Sequence, residues 1–425
     1  MTSLGRQNIK KNGWEDFLAV LKLGVVISLL LPLMALSTCN TVSKSNKQSN
    51  APIPIIKLNP TSPTIGKTEK IACNLNYYDA QLTNDLFFKV RIKRRGGMSI
   101  VYPKHSYTFK MDTSYALAAM PTDNDWVLNA SYIDKTFMRH KLSFDLYRSL
   151  NPKNKAPQCK YVEVFVKEDY KGLYVLMERL DATRLGLDKQ DDKAAVFKEP
   201  PIFYENPLPL KYIQDTSNYY HQKYPKPTKN NRYNEMDSLW RFLKFAPDSL
   251  FAHPTKGAAK WFDIDNVIDW HLMLLFTNNS DGILKNFYLY KTDSLSAYRF
   301  AIWDYDHSFG RDGDYAYNML ERNAKCERSP LIKRLLQLNA YDYKNRLKKR
   351  WQQTKKKGIF TEKNLTKLID HNDRVLKNYI AKNEQKWPYK SKFYLDDNTF
   401  EQEVAIIRAY VPKRIKYLND FFENL

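Results

Sequence analysis

Cysteine is scarce, with four residues in 425. No C-x-x-C pair or Cys/His cluster has zinc spacing, so neither a disulfide framework nor a structural zinc site organises the chain. The 13 glycines include no G-x-G-x-x-G, so the glycine-rich loop of ordinary protein kinases is absent. The apolar run Leu23–Leu36 is about fourteen residues long, short of the roughly 20 that a spanning helix needs. Acidic residues are in deficit: 46 Asp+Glu face 68 Lys+Arg, a formal charge of +22. Such an excess fits nucleic acid, an anionic surface or an acidic substrate. The densest basic runs, Arg91 with Lys93–Arg95 and Arg346 with Lys348–Arg350, carry no nucleic-acid motif and read as solvated faces. What is present is a globular composition, 43% hydrophobic and 14% aromatic, in a chain long enough for two to three domains or one large two-lobed one.

Arg6, Lys10, Lys11 and Lys22 precede the apolar run, and Leu36-Ser37-Thr38-Cys39 ends it. This is the layout of a signal peptide over residues 1–38. Its end resembles the lipobox of bacterial lipoproteins, in which Cys39 would become the lipidated first residue. Thr38 stands where Gly, Ala or Ser is usual, so an ordinary signal peptide or a short uncleaved anchor is the alternative. Either way an exported chain is expected, a membrane-anchored lipoprotein of a bacterial cell envelope with no nucleic-acid partner. Residues 39–60, polar and carrying Pro52, Pro54 and Pro60, have linker composition. Cys73, Cys159 and Cys326 then allow one disulfide at most.

In the globular part, Phe87–Lys93 and Ser106–Met111 alternate around the break at Gly96-Gly97, and Tyr161–Lys167 and Gly172–Met177 flank a tight turn. These patterns predict antiparallel sheet. Asp134 reads as the N-cap of a helix running to about Ser149. Residues 199–233 show no sustained period and read as an insertion or connection. Val404, Ile407, Val411, Ile415, Leu418 and Phe422 recur at helical spacing, with Pro412 inside. The expected class is α+β, with a sheet-rich N-terminal lobe over 61–198 and a mainly helical C-terminal lobe over 199–425.

The chemistry concentrates between Asn279 and Gly310. Phe287–Lys291 and Tyr298–Trp303 flank a polar turn, and pairing about a centre near Leu295 sets Asn286 opposite Asp304. Asp281 precedes Asn286 by the spacing that a kinase catalytic loop uses between its base aspartate and its metal-binding asparagine, and a second metal aspartate follows at the end of the next hairpin. Phosphoryl transfer needs hard oxygen ligands for Mg²⁺ and a carboxylate near the incoming hydroxyl. Asp281, Asn286, Asp304 and Asp306 supply those residue types. On spacing alone, a turn at Asp281-Gly282 with solvated carboxylates at 304 and 306 is the competing reading.

These motifs resemble the CotH kinase family, atypical kinase-like proteins named after a bacterial spore-coat protein. The resemblance runs from about Phe87 to Phe422 and is most specific at Asn278–Gly282, Lys285–Tyr290 and Trp303–Asp312. Weaker agreement comes from Arg95–Ser99 with Pro103-Lys104, from Tyr132–Arg139, and from Gly172–Tyr174 leading to Glu178. The resemblance implies a kinase-like two-lobe fold, ATP as substrate with Mg²⁺ or Mn²⁺, and an exported protein as acceptor. It makes Asp281 the catalytic residue and Asp304 a metal ligand, with Asn286 and Asp306 completing the site. On the N-terminal side, Arg95 and Ser99 are candidates for a phosphate loop, although the family pattern is closer to R-G-x-S-S. Lys104 or Lys110 would meet phosphate, and Glu178 would pair with that lysine or sit at the hinge. Arg139 reads as an ion-pair partner of Asp134, and His307 is not needed as a base. Two other functions stay open: a catalytically degenerate surface binding or adhesion lipoprotein, and a nucleotidyl transferase on the same scaffold.

Overall fold

In the computed structural model, residues 52–81, 85–204, 218–312, 315–318, 324–389 and 396–425 are described. Cys39 and the signal-peptide segment lie outside them. Seven strands come first: β1 (Ile55–Pro60), β2 (Ile71–Tyr78), β3 (Asp85–Arg95), β4 (Ser106–Tyr115), β5 (Asp123–Asn129), β6 (Cys159–Val166) and β7 (Asp169–Glu178). They close a barrel in the order β1-β2-β3-β4-β5-β7-β6. All neighbours are antiparallel except β1 and β6, which run parallel from Ile55 opposite Glu163 to Leu58 opposite Val166. Closure leaves no open sheet edge, and alternation explains how the inside fills. Ile56, Leu58, Leu75, Ile92, Phe109, Trp126, Leu128, Val162, Val164, Tyr174 and Leu176 form the barrel core. The residues between them on β6 and β7, Tyr161, Leu173, Val175 and Met177, face the other way and join the second core. That is why β7 is buried almost continuously rather than on alternate residues.

Two expectations change here. The proline-bearing stretch Ile55–Pro60 is not linker but the strand that closes the barrel. The helix after Asp134 begins later, as α1 (Arg139–Leu150), because the Asp134 carboxylate accepts from Thr136 N and Arg139 N and caps a turn before the helix. A second sheet, ordered β11-β10-β8-β9, joins β8 (Ala195–Lys198) and β9 (Gln222–Tyr224) to the hairpin of β10 (Phe287–Lys291) and β11 (Arg299–Ile302). A two-stranded ribbon of β12 (Arg311–Asp312) and β13 (Tyr315–Asn318) follows.

Helices make up most of the rest: α2 (Tyr233–Phe245), α3 (Asp248–Phe251), α4 (Ala258–Trp261), α5 (Ile264–Thr277), α6 (Pro330–Leu338), α7 (Tyr343–Lys356), α8 (Glu362–Lys386) and α9 (Phe400–Glu423). The architecture is α+β, sheet-rich first and helical later. Central α5 is apolar nearly all round and buried at every residue but Asp265, which suits a helix with no solvent face. The Asp263 side chain caps it by accepting from Asn266 N at 3.0 Å. In α9 the apolar spacing lands as expected, with Val404, Ile407, Val411, Leu418 and Phe422 buried. The three described cysteines, Cys73, Cys159 and Cys326, are buried free thiols.

Candidate active site

The β10–β11 hairpin positions the acidic residues. Its register pairs Phe287 with Ile302, so Asn286 stands opposite Trp303, whose N–H donates to Asn286 O at 3.0 Å. The expected pairing of Asn286 with Asp304 is therefore one residue out, since the turn centre falls half a residue earlier than Leu295. The two residues meet by another route: Asn286 Nδ2 donates to the Asp304 carbonyl oxygen at 3.0 Å. Both have left-handed backbones, φ 61° at Asn286 and 59° at Asp304, a conformation that Asn and Asp tolerate better than other side chains. The chain thus leaves the hairpin at a fixed angle, and Asp304 and Asp306 turn to one place.

That place also receives the start of α1. His140 is buried, with its Nε2 3.1 Å from Asp304 Oδ1. One ligand atom each from His140, Asp304 and Asp306 lie within 4.8 Å of one another. The Asp304 side chain remains 48% exposed while that of His140 is 2% exposed, so the group has one open side. Arg95, at the end of β3, and Lys198, at the end of β8, lie over the Trp303 ring at 5.4 and 5.7 Å from its centroid. Their charges act on Asp304. Burial alone would raise the Asp304 pKa, but the His140 hydrogen bond and charge, with Arg95 and Lys198, hold it well below the usual carboxylate range. Asp306 moves the other way, pushed up by burial and then by the neighbouring Asp304 charge. Burial opposes a proton on His140, and the hydrogen bond to Asp304 with the charges of Asp306 and Asp304 outweighs it, so its pKa is raised.

Asp281 opens a short turn, Asp281–Ile283, just after α5. Asn279 Oδ1 accepts from Gly282 N at 2.9 Å and fixes this turn. A Cβ at Gly282 would stand 2.8 Å from Leu274 Cδ2, so a larger residue there would have to displace that buried side chain. Asp281 is outside the His140 group and pairs instead with Lys285, Nζ to Oδ2 2.9 Å, both side chains part-exposed. Of the four expected residues, the structure brings Asn286, Asp304 and Asp306 together and holds Asp281 on the adjoining turn.

The N-terminal candidates divide. Arg95 reaches the site. Lys104 is instead sealed, donating to Leu173 O at 2.5 Å and Asn383 Oδ1 at 3.0 Å between the Phe137 and Tyr174 rings. Its position is that of a tie between β7 and α8, away from any open phosphate mouth. Glu178 does not meet a lysine: it accepts from Gln158 N at 2.9 Å and pairs with Arg184 Nε at 3.4 Å. Ser99 belongs to its own turn, its carbonyl oxygen accepting from Tyr102 N and its Oγ filling the space where Gly96 would carry a Cβ. Arg139 does pair with Asp134, at 2.6 Å, and also with Glu403 at 3.0 Å and the Ser308 carbonyl at 3.0 Å. His140 and Lys198 were invisible to spacing arguments. His140 lies 164 positions from Asp304, and only its place beside Arg139 in a motif-bearing stretch hints at it.

Oxygen donors from two aspartates and a nitrogen from a buried imidazole, open on one side, suit a divalent cation. The family model described as CotH kinase protein matches residues 92–418. The chain belongs to the CotH kinase family. It is also 25% identical over 303 residues to the inner spore coat protein H of Bacillus subtilis (strain 168), covering 70% of this chain and 78% of that protein. Within this CotH chain the matched span runs from late β3 into α9, and so takes in Arg95, His140, Lys198, Asp281, Asn286, Asp304 and Asp306.

Proposed function

We propose that this chain is a CotH-like phosphotransferase that moves the γ-phosphoryl group of ATP to a hydroxyl of an exported protein. The observation that carries it is the convergence of Asp304 and Asp306 with the cationic Arg95 and Lys198 at one open point. Phosphoryl transfer is mostly positioning and charge compensation, and this arrangement supplies both signs where phosphates and a cation must meet. Asp304 and Asp306 would hold the divalent ion, Mg²⁺ or Mn²⁺, which when bound offsets charge on the nucleotide phosphates. Asn286 holds the Asp304 backbone in place. Arg95 and Lys198 lie where they can pair with phosphate oxygens, and the Trp303 ring beneath them limits where those side chains go.

Asp281 accepts the acceptor hydroxyl's proton while that oxygen bonds to the γ-phosphorus and the bond to the β–γ bridging oxygen breaks, releasing ADP. Its partner Lys285, with Nζ 2.9 Å from Asp281 Oδ2, positions that carboxylate on its turn. In this reading the barrel serves as the N-terminal lobe and the helical part as the C-terminal lobe of a kinase-like pair. Lipidation at Cys39 would hold the enzyme on a bacterial envelope membrane.

The second reading is a binding scaffold that has lost catalysis. The observation favouring it is that Lys104 and Glu178 are each engaged elsewhere, so neither forms the lysine–glutamate pair of ordinary kinases. Calorimetry on the detergent-solubilised full chain with ATP and Mn²⁺ or Mg²⁺ separates the two. Nucleotide binding with γ-label transfer that disappears in Asp304→Ala supports the phosphotransferase, whereas no binding with either metal supports the scaffold. Transfer of α-label in place of γ-label would make it a nucleotidyl transferase.

A further inference from the structure

The acidic pair alone describes an oxygen-only site, and His140 changes its chemistry. Its Nε2 stands 3.1 Å from Asp304 Oδ1, and ligands on adjacent corners of an octahedral ion with bonds of about 2.1 Å stand about 3.0 Å apart. A ligand oxygen of Asp306 is within 4.8 Å of both, so all three can face one centre. The imidazole cannot swing away. It is buried at the head of α1, edge-on to Phe144 with centroids 5.6 Å apart. The residue before it is locked by Asp134, Glu403 and the Ser308 carbonyl. His140 Nδ1 has no hydrogen-bond partner among the described residues, so Nε2 is the nitrogen already aimed at the carboxylates. His307 lies further out, its Nε2 3.9 Å from Asp306 Oδ1.

We infer that His140 is a direct third ligand of the ion and makes this centre selective for Mn²⁺ over Mg²⁺. Mg²⁺ takes oxygen donors and keeps its waters, whereas an imidazole nitrogen is a good donor to first-row transition ions. The inference rests on the reading of Asp304 and Asp306 as metal ligands, and the test separates the two. Pulsed EPR of the full chain loaded with Mn²⁺, prepared with natural-abundance and with ¹⁵N-histidine, should show nitrogen coupling that changes with the isotope. The coupling should vanish in His140→Ala and persist in His307→Ala. Calorimetry without nucleotide adds an equilibrium readout. Loss of even an outer-shell partner costs roughly 10–100-fold in metal affinity, so His140→Ala should weaken Mn²⁺ by at least about tenfold and Mg²⁺ by less.

Mn²⁺ that binds, depends on Asp304 and shows no histidine nitrogen overturns the inference while sparing the acidic centre. Coupling that depends on His307 overturns it as well. Equal Mn²⁺ and Mg²⁺ affinities in the wild-type chain would refute the selectivity. Absence of any Asp304-dependent metal binding removes both the inference and the reading beneath it.

Discussion

Replacing Arg139 by Met tests how the site is held. The guanidinium is 1% exposed and its two carboxylate partners, Asp134 and Glu403, are 0% and 2% exposed. Removing one member of a buried ionic group generally costs about 3–5 kcal/mol, because the other charge is left without compensation. The two partners are not equally stranded. Glu403 keeps Arg311, at 3.2 Å, whereas Asp134 retains only hydrogen bonds from Thr136 and the Arg139 N–H. The cost therefore belongs near about 3 kcal/mol, which at roughly 2 °C per kcal/mol for a long chain lowers Tm by about 6 °C. Thermal and denaturant unfolding of the full chain would measure it. Asp134→Asn then supplies the cycle: harmful in the wild type, it should be milder by at least about 1 kcal/mol when Arg139 is already Met, since it removes the stranded charge. A loss under about 1 kcal/mol for Arg139→Met, or strict additivity of the pair, would refute the assignment of Arg139 as the electrostatic centre of this junction. Because Arg139 Nε holds the Ser308 carbonyl, two residues from Asp306, metal affinity should fall with stability.

Burial lowers the His271 pKa from its ordinary 6.5 to about 3. The unfolded chain takes up a proton below about pH 6.5 that the folded one refuses, so stability is complete above that pH and falls as pH drops toward 3. The slope is up to about 1.4 kcal/mol per pH unit, and urea titrations at pH 6.5 and 5.5 should show His271→Gln flattening it by about 1 kcal/mol. Lys104→Met should leave ATP affinity within about twofold of wild type by calorimetry, since its ammonium is buried and donates to Leu173 and Asn383; a tenfold loss would return Lys104 to the nucleotide. Radiolabelled palmitate should enter the chain in a bacterial host and fail to enter Cys39→Ala, and surviving label would place the anchor elsewhere.

Period-2 alternation located β3, β4, β6 and β7, because each has at least one face with a uniform environment. The 3.6 period located α9 for the same reason. The barrel was not legible, since β1 carries Lys57, Asn59 and Pro60, a composition shared with linkers, and its partner β6 lies far along the chain. Asp304 and Asp306 were legible as neighbours on one strand end, where local geometry brings them together. His140, Arg95 and Lys198 come from three other elements, and only tertiary packing brings them to Asp304. Glu178 misled because a strand-end carboxylate does not announce its partner; Arg184 took that place from six residues downstream.

The parallel seam between β1 and β6 also sets a timetable. β1 pairs locally with β2, but its other edge waits for residues 163–166, roughly a hundred residues later. At about 5–20 residues per second of synthesis, that edge stands open for roughly 5–20 s, long enough to recruit a stray strand. Lys57 and Pro60 on the waiting strand make it a poor template for such pairing, as charge and proline do at sheet edges. The residues that disguise β1 as linker are thus the ones that guard it while the newborn chain is incomplete.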